Sequence, residues 1–354
     1  MAGLYIHIPF CKKRCLYCDF FSTTQLEKRE EYVQALIREW EERKDEAGEP
    51  IRTIYIGGGT PSTLSIESMI AINPTIHSYQ IAEYTVEVNP GDVTKEYLKG
   101  LRSLGVNRLS MGVQSFQDEL LQLIGRRHNA QQAIEAVKMA QEAGFVNISI
   151  DLMYALPTQT MDQWKADIET ALSLGVQHIS SYGLMYEEGT VLTKMLENGQ
   201  IEAIDEDTEN AMYDYLCARL KEAGLVHYEV SNFALPDFEA QHNSRYWDHT
   251  PYIGIGAGAH SLVGRVRSWN ENNIDAYIAG TYQRESEVLT DDDWYNEQMM
   301  LGLRTNRGVA KSLIRKDISG YIQTGLLRET EDGQVVATQE GLHLLNRIIE
   351  DVMI

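Results

Sequence analysis

The sequence is short of cysteine, of positive charge and of long apolar runs, and each shortage excludes a class of protein. Four cysteines in 354 residues are too few for a disulfide-stapled secreted scaffold, and free thiols fit a reducing compartment. Against 52 acidic residues stand 31 basic ones, for a net charge of −21. That balance repels phosphate backbones and anionic lipid, so nucleic acid is not expected as a partner. No run reaches the ~20 apolar residues of a membrane span. Met1-Ala-Gly-Leu4 enters the first strand pattern without a cationic or apolar leader. The expected location is the cytoplasm, with peripheral contact at a membrane left open.

Three of the four cysteines, Cys11, Cys15 and Cys18, fall within eight residues, directly after an apolar strand pattern. Thiolates bind soft metals, so an iron–sulfur cluster and zinc are both readings of this loop. Structural zinc takes four closed ligands, as two Cys-x2-Cys pairs or with histidines at fixed spacing. No second pair is present, and Cys217 stands alone in the helix-like run Tyr213–Leu220, where it reads as a buried inert thiol. A [4Fe–4S] cluster held by three cysteines would keep one iron open to an outside ligand.

Beyond the loop, Lys28 to Ala47 carries Tyr32, Val33, Leu36, Ile37 and Trp40 on a helical stripe among charges. Strand patterns occur at Leu4–Ile8, Thr53–Ile56, Glu83–Val88, Arg108–Gly112, Asn147–Leu152 and His178–Tyr182. Four helix-like runs end in glycine followed by an apolar residue, at Gly105, Gly144, Gly175 and Gly224, the pattern of a left-handed C-terminal cap. Alternating strands and helices predict an α/β fold with a parallel sheet. A complete eight-unit barrel takes about 250 residues, so these units predict a partial (βα)6 barrel of TIM type.

In such a barrel, ligands gather at the C-terminal ends of the strands. Gly57-Gly-Gly-Thr-Pro61 follows the second strand and would let backbone approach a ligand closely, although a tight strand-to-helix turn uses the same residues. Glu87, Gln114, Arg126 and Asp151 lie at or beyond later strand ends. Each alone would serve as an ordinary capping group; their recurrence at successive ends is what marks them. Glu87 lies within an apolar strand, where an unpaired carboxylate is costly.

Cys-x3-Cys-x2-Cys, the preceding Tyr5-Ile-His-Ile-Pro-Phe10 and the following Asp19-Phe20 together resemble the radical S-adenosylmethionine (SAM) superfamily. The resemblance is to the branch that holds anaerobic coproporphyrinogen III dehydrogenase and the HemW-type heme chaperones. It implies an open barrel in which the open iron chelates the amino and carboxylate groups of SAM. An electron from the cluster then cleaves SAM to methionine and a 5′-deoxyadenosyl radical, while the protein binds, orients and excludes water. It also implies Cys11, Cys15 and Cys18 as cluster ligands and Tyr5, Gly58 and Glu87 as contacts to the cluster-bound SAM. Tyr17, Gly59, Thr60, Gln114, Arg126 and Asp151 match contacts to a second SAM. Two departures favour the chaperones over the dehydrogenase. The dehydrogenase signature continues to a fourth cysteine where this chain has Phe20, and it carries a substantial segment ahead of the first strand, where four residues precede Tyr5 here.

The stretch from Tyr228 to His260 is rich in aromatic residues, histidine and glycine. Heme iron accepts imidazole and its macrocycle is flat and apolar, so a histidine among aromatic residues is either a binding element or a hydrogen-bonded packing residue. His242-Asn-Ser-Arg-Tyr-Trp247 matches the His-Asn-x-x-Tyr-Trp motif of the HemW-type chaperones. The match implies His242 as the heme ligand, with His249 and His260 next.

Residues 1–235 read as the core barrel, 236–290 as a connecting segment with the heme motif, and 291–354 as a small winged-helix-like domain. Within the last, Asp291–Arg304, Leu313–Thr324 and Gln339–Met353 read as helices, and Leu326–Arg328 with Val335–Thr338 as a hairpin around Asp332-Gly333. Winged helices often bind DNA, but no basic recognition helix is present. In the family a domain of this kind covers the mouth of the active site. The function implied is a heme chaperone that holds a [4Fe–4S] cluster, SAM and heme. It would pass heme to a recipient hemoprotein and take electrons from a flavodoxin or ferredoxin. The alternative is oxidative decarboxylation of coproporphyrinogen III.

Overall fold

The computed structural model describes residues 1–73 and 80–354. Six strands, β1 (Ala2–Ile8), β2 (Ile51–Gly58), β3 (Glu83–Val88), β4 (Arg108–Gln114), β5 (Ile148–Tyr154) and β6 (His178–Gly183), pair in parallel in chain order. This is the expected open (βα)6 arrangement, with several strands longer than their sequence patterns. Successive side chains of a strand point to opposite faces. In β4, Leu109, Met111 and Val113 are fully buried in apolar surroundings, whereas Arg108, Ser110, Gly112 and Gln114 line the barrel interior.

The helices close as their glycines predict. Gly105, Gly144, Gly175 and Gly224 all take the left-handed conformation, and the apolar residues that follow, Val106, Phe145, Val176 and Leu225, are buried. Asn129 and Thr160 start the helices Ala130–Glu142 and Met161–Ser173 with reciprocal capping boxes to Gln132 and Gln163.

The sheet continues past both ends of the barrel. Beyond β6 come β7 (Val226–Glu229) and β8 (Asn232–Ala234), antiparallel; beside β1 lies β9 (Tyr252–Ile255), parallel, then antiparallel β10 (His260–Val263), β11 (Val266–Asn270) and β12 (Arg284–Val288). Residues 236–290 thus contribute four strands to the main sheet rather than merely connecting two units. A buried ion pair on the helix Arg29–Arg43 fixes them. Arg43 donates to Glu39 (2.6 Å), the Gly254 carbonyl (2.7 Å) and Ser261 Oγ (2.9 Å), and Glu39 accepts from Gly256 N (2.8 Å) and Tyr277 Oη (2.6 Å). Every charge is paired, the condition under which burying such a pair is tolerable.

The C-terminal region starts with the helix Asp291–Gly302 and contains β13 (Val309–Ala310), β14 (Leu327–Glu329) and β15 (Gln334–Ala337) in the antiparallel order β13-β15-β14. It has its own apolar cluster around Met299, Val335 and Ile348. The helix expected at Leu313–Thr324 is only Ser319–Gln323, because Ile314 is extended and the Asp317 side chain accepts from Ser319 N (2.9 Å), turning the chain before the helix begins. The last helix breaks at Leu344 into Gln339–His343 and Leu345–Val352.

This region is bonded to the β7 side of the barrel. Asn306 N donates to the Tyr228 carbonyl (3.0 Å), Val230 N to the Arg304 carbonyl (2.9 Å), and His343 pairs with Asp214 (2.9 Å). No described residue beyond Asn272 lines the central cavity, so the region does not cover the mouth as the resemblance implied. Among the described residues no helix is long and apolar enough to cross a membrane.

Candidate functional site

The cysteine loop leaves the C-terminal end of β1 and is tied at its base, where Thr23 N donates to the Pro9 carbonyl (2.7 Å) and Cys11 N to the Thr23 carbonyl (2.8 Å). Leu16 pins its crown. Its N–H donates to the Ile124 carbonyl (3.0 Å) and its carbonyl accepts from Leu192 N (2.9 Å), while Leu16 and Tyr17 rest on Leu120, Ile124, Met153 and Leu156. Gly59 passes so close that a Cβ there would lie 2.9 Å from the Pro9 carbonyl carbon and 3.0 Å from Cys11 Sγ. Thr60 Oγ1 donates to Cys11 Sγ (3.5 Å) and Arg126 Nη1 to Cys15 Sγ (3.3 Å).

All three thiols border one cavity of about 780 Å3 at the C-terminal ends of the strands. Burial raises the pKa of Cys11 and Cys18, opposed at Cys11 by the Thr60 hydrogen bond. Among the described residues no three His, Cys, Asp or Glu side chains converge on a single-ion site. Mononuclear zinc would need its thiolates to meet at ~2.3 Å from one point. A cubane instead gives each thiolate its own iron, so the donor set fits a three-cysteine [4Fe–4S] cluster better than closed zinc.

Tyr5, Tyr17, Gly58, Gly59, Thr60, Glu87, Gln114, Arg126 and Asp151 all line the same cavity. Its volume falls within the ~300–1,000 Å3 of ordinary ligand sites. Tyr5 Oη hydrogen-bonds His7 Nδ1 (2.9 Å). Glu87 accepts from Tyr55 Oη (2.7 Å) and from the N–H of Gly58 (3.1 Å), which sits at φ 113° where only glycine is comfortable. Burial lifts the Glu87 carboxyl to about 7 against the Tyr55 hydrogen bond, and lifts Asp151 to about 6 against the charges of Arg108 and Arg126.

Arg126 donates to the Gly112 carbonyl, and a side chain at Gly112 would crowd both Arg126 and Gln114. Gln114 itself is left-handed (φ 71°). Its turn is held by buried Asp167, which accepts from Ser115 Oγ (2.7 Å), Phe116 N (2.9 Å) and Gln117 Nε2 (3.0 Å). The cavity therefore offers carboxylates, guanidinium groups, backbone N–H groups and thiols to a ligand.

Tyr55, Arg108, Ser110, Ser180 and Tyr182 also line the cavity and were not singled out from the sequence. The missed signal is alternation: inward positions 108, 110, 112 and 114 are polar or glycine between outward Leu109, Met111 and Val113, whereas in β6 Ser181 breaks the pattern between Ser180 and Tyr182.

Of the expected site residues, the structure keeps His242 and His249 out of the cavity, His249 with its Nε2 on Glu297 (3.0 Å) and its ring on Trp294. His242 is the more deeply placed. It is 0% exposed, with Nδ1 bonded to Thr53 Oγ1 (3.0 Å) and Nε2 to Tyr246 Oη (3.0 Å). The N–H groups of Gln241 and His242 both donate to Glu83 (2.8 Å each), so the short helix Gln241–Ser244 plugs the N-terminal end of the barrel. Burial first, then the charge of Arg245, lowers its pKa to about 3. Both imidazole nitrogens are spoken for, and no free ligand is presented here. Asn243 and Tyr246 of the same stretch do reach the cavity floor.

A radical SAM superfamily model matches residues 5–171. The chain is 37% identical to the heme chaperone HemW of Bacillus subtilis (strain 168), over 98% of this chain and 96% of that one. It is 38% identical to the heme chaperone HemW of Lactococcus lactis, over 99% and 97%. In fold it resembles the coproporphyrinogen III oxidase HemN of Escherichia coli, a radical SAM enzyme, with a TM-score of 0.83 at 24% identity over 99% of this chain and 90% of that one. The cysteine loop, the open barrel and the full-length likeness agree: the chain belongs to the HemW family of heme chaperones within the radical SAM superfamily.

Proposed function

We propose that this chain holds a [4Fe–4S] cluster on Cys11, Cys15 and Cys18, binds SAM in the adjoining cavity, and carries heme to a recipient hemoprotein. The observation that supports it most is the gathering of the three cysteines and the nine SAM-matched residues around one cavity. A bound cluster with one open iron would supply the SAM amino and carboxylate groups with a metal site and an electron, delivered by a flavodoxin- or ferredoxin-like donor.

The chain's own residues do the rest. Gly58 and Gly59 allow backbone to approach the methionine end, Thr60 and Arg126 steady two cluster thiolates, and Glu87, held by Tyr55 and Gly58 N–H, accepts ribose hydroxyls. Tyr17, Gln114, Arg126 and Asp151 line the same cavity and would contact a second SAM. That placement also favours a second reading, oxidative decarboxylation of coproporphyrinogen III, against which Phe20 stands in place of a fourth cysteine.

Anaerobically reconstituted protein separates the two. The chaperone reading expects heme uptake with a Soret shift, heme transfer to an apo-hemoprotein, and coproporphyrinogen III recovered unchanged. Conversion of that substrate to protoporphyrinogen IX would establish the second reading instead.

A further inference from the structure

We propose that heme lies across the barrel mouth with the His260 imidazole as its axial ligand and with Phe20, Tyr182 and Met185 against the macrocycle. This rests on the heme-carrying reading above and gives it a site.

The described histidines sort themselves by what their rings already do. His7, His178, His242 and His343 engage both nitrogens, and His128, His227 and His249 engage one each. His260 is the described histidine whose ring makes no hydrogen bond, and it is exposed and lines the cavity. Its ring stacks on Trp269 at 5.8 Å and 22°, which covers one face and occupies neither nitrogen. Partial burial, with the charge of Arg267, lowers its pKa and so favours the neutral imidazole that iron takes as a ligand.

The segment that carries His260 is rigid and close to the cysteine loop. Asn270 N donates to the Ala259 carbonyl (3.0 Å), and a Cβ on Gly258 would lie 3.2 Å from Phe21 Cδ1. Upstream, the Glu39–Arg43 pair locks Gly254, Gly256 and Ser261.

The cavity rim also carries large exposed apolar side chains. Phe20, Tyr182 and Met185 are 65%, 43% and 71% exposed, and all three border the cavity. Large side chains left in water at a cavity rim mark a binding surface, and a flat apolar macrocycle is the occupant that matches both them and a free imidazole. Lys13 and Arg14 border the same cavity without an ion pair and are available to two propionates. On binding, a dative Fe–N bond forms and a water leaves the iron; no electron or proton is transferred.

The test is ferric heme titration of the anaerobic cluster-loaded protein, read by the Soret band and by EPR of the bound heme. His260→Ala should weaken binding at least tenfold and abolish the histidine-ligated spectrum. Added imidazole should restore that spectrum. Phe20→Ala should weaken binding while keeping the ligation spectrum. A His260→Ala protein with unchanged affinity and Soret band overturns the proposal, as does loss of ligation confined to His242→Gln, and both leave the heme-carrying reading standing. No heme uptake by the wild type defeats that reading and the proposal together.

Discussion

Replacing Glu87 by glutamine tests the electrostatics of the cavity without removing a side chain. Glutamine can accept from Gly58 N–H and donate to Tyr55 Oη, so both present partners remain served. What changes is the proton. Burial lifts the Glu87 carboxyl from 4.5 to about 7 in the folded chain. Because the folded pKa is the higher one, the stabilising contribution is full below the unfolded pKa and disappears as pH rises through about 7. A shift of that size corresponds to roughly 3–4 kcal/mol at most. Glu87 borders an open cavity where water screens it, so roughly 1–2 kcal/mol is the working expectation.

Urea unfolding of the cluster-free protein under argon, at pH 5 and pH 8 and constant ionic strength, measures it. Glu87→Gln should gain roughly 1–2 kcal/mol on the wild type between those two pH values. Asp151 titrates nearby, at about 6, and its charge raises Glu87. The gain should therefore be smaller in an Asp151→Asn background, as coupled sites require. A gap between Glu87→Gln and wild type that is the same at both pH values would refute the assignment of a buried, protonated carboxyl.

Two further substitutions probe the scaffold. Gly59→Ala places a methyl 2.9 Å from the Pro9 carbonyl carbon and 3.0 Å from Cys11 Sγ, and backbone cannot yield as a flexible side chain can. It should cost ~1–3 kcal/mol of apo stability and lower iron and acid-labile sulfide per chain; wild-type cluster content would show that the loop has room to move. Asp167→Ala strands Ser115 Oγ, Phe116 N and Gln117 Nε2 in a buried turn. It should cost ~3–5 kcal/mol by chemical denaturation and weaken SAM binding through Gln114, whereas a loss under ~1 kcal/mol would mean that the turn is held by its other contacts.

The barrel was legible because local signals and the global fold agree at the helix ends. Gly105, Gly144, Gly175 and Gly224 each fall where a left-handed cap is needed, and each returns the chain to a parallel strand. The cysteines and strand-end residues were legible for a similar reason, since a barrel brings successive strand ends to one rim. Two features hid. The polar inward row of β4 was obscured because its partners, the outward Leu109, Met111 and Val113, make the strand read as merely apolar. Arg108 and Ser110 therefore passed unnoticed until alternation was seen in three dimensions.

The role of His242 hid for a different reason. Motif matching records which residues occur together and not which end of the barrel they reach. The bonds from Thr53, Tyr246 and the backbone to Glu83 that bury it at the barrel bottom come from residues 150 or more positions away for Glu83 and Thr53. The β9–β12 extension was equally opaque, because its anchor is the Glu39–Arg43 pair far upstream on a helix whose stripe gave no hint of a buried charge network.

On the proposed function, three thiolates leave one iron of a [4Fe–4S] cluster open toward a SAM-binding cavity. Low-temperature EPR of the anaerobically reconstituted, dithionite-reduced protein, recorded with and without SAM, reads that open iron. About four irons and four sulfides per chain, the composition of one such cluster, and a reduced-cluster signal whose g-values move when SAM is added are the expected results. A signal indifferent to SAM, or purified protein that holds zinc and no sulfide, would contradict it.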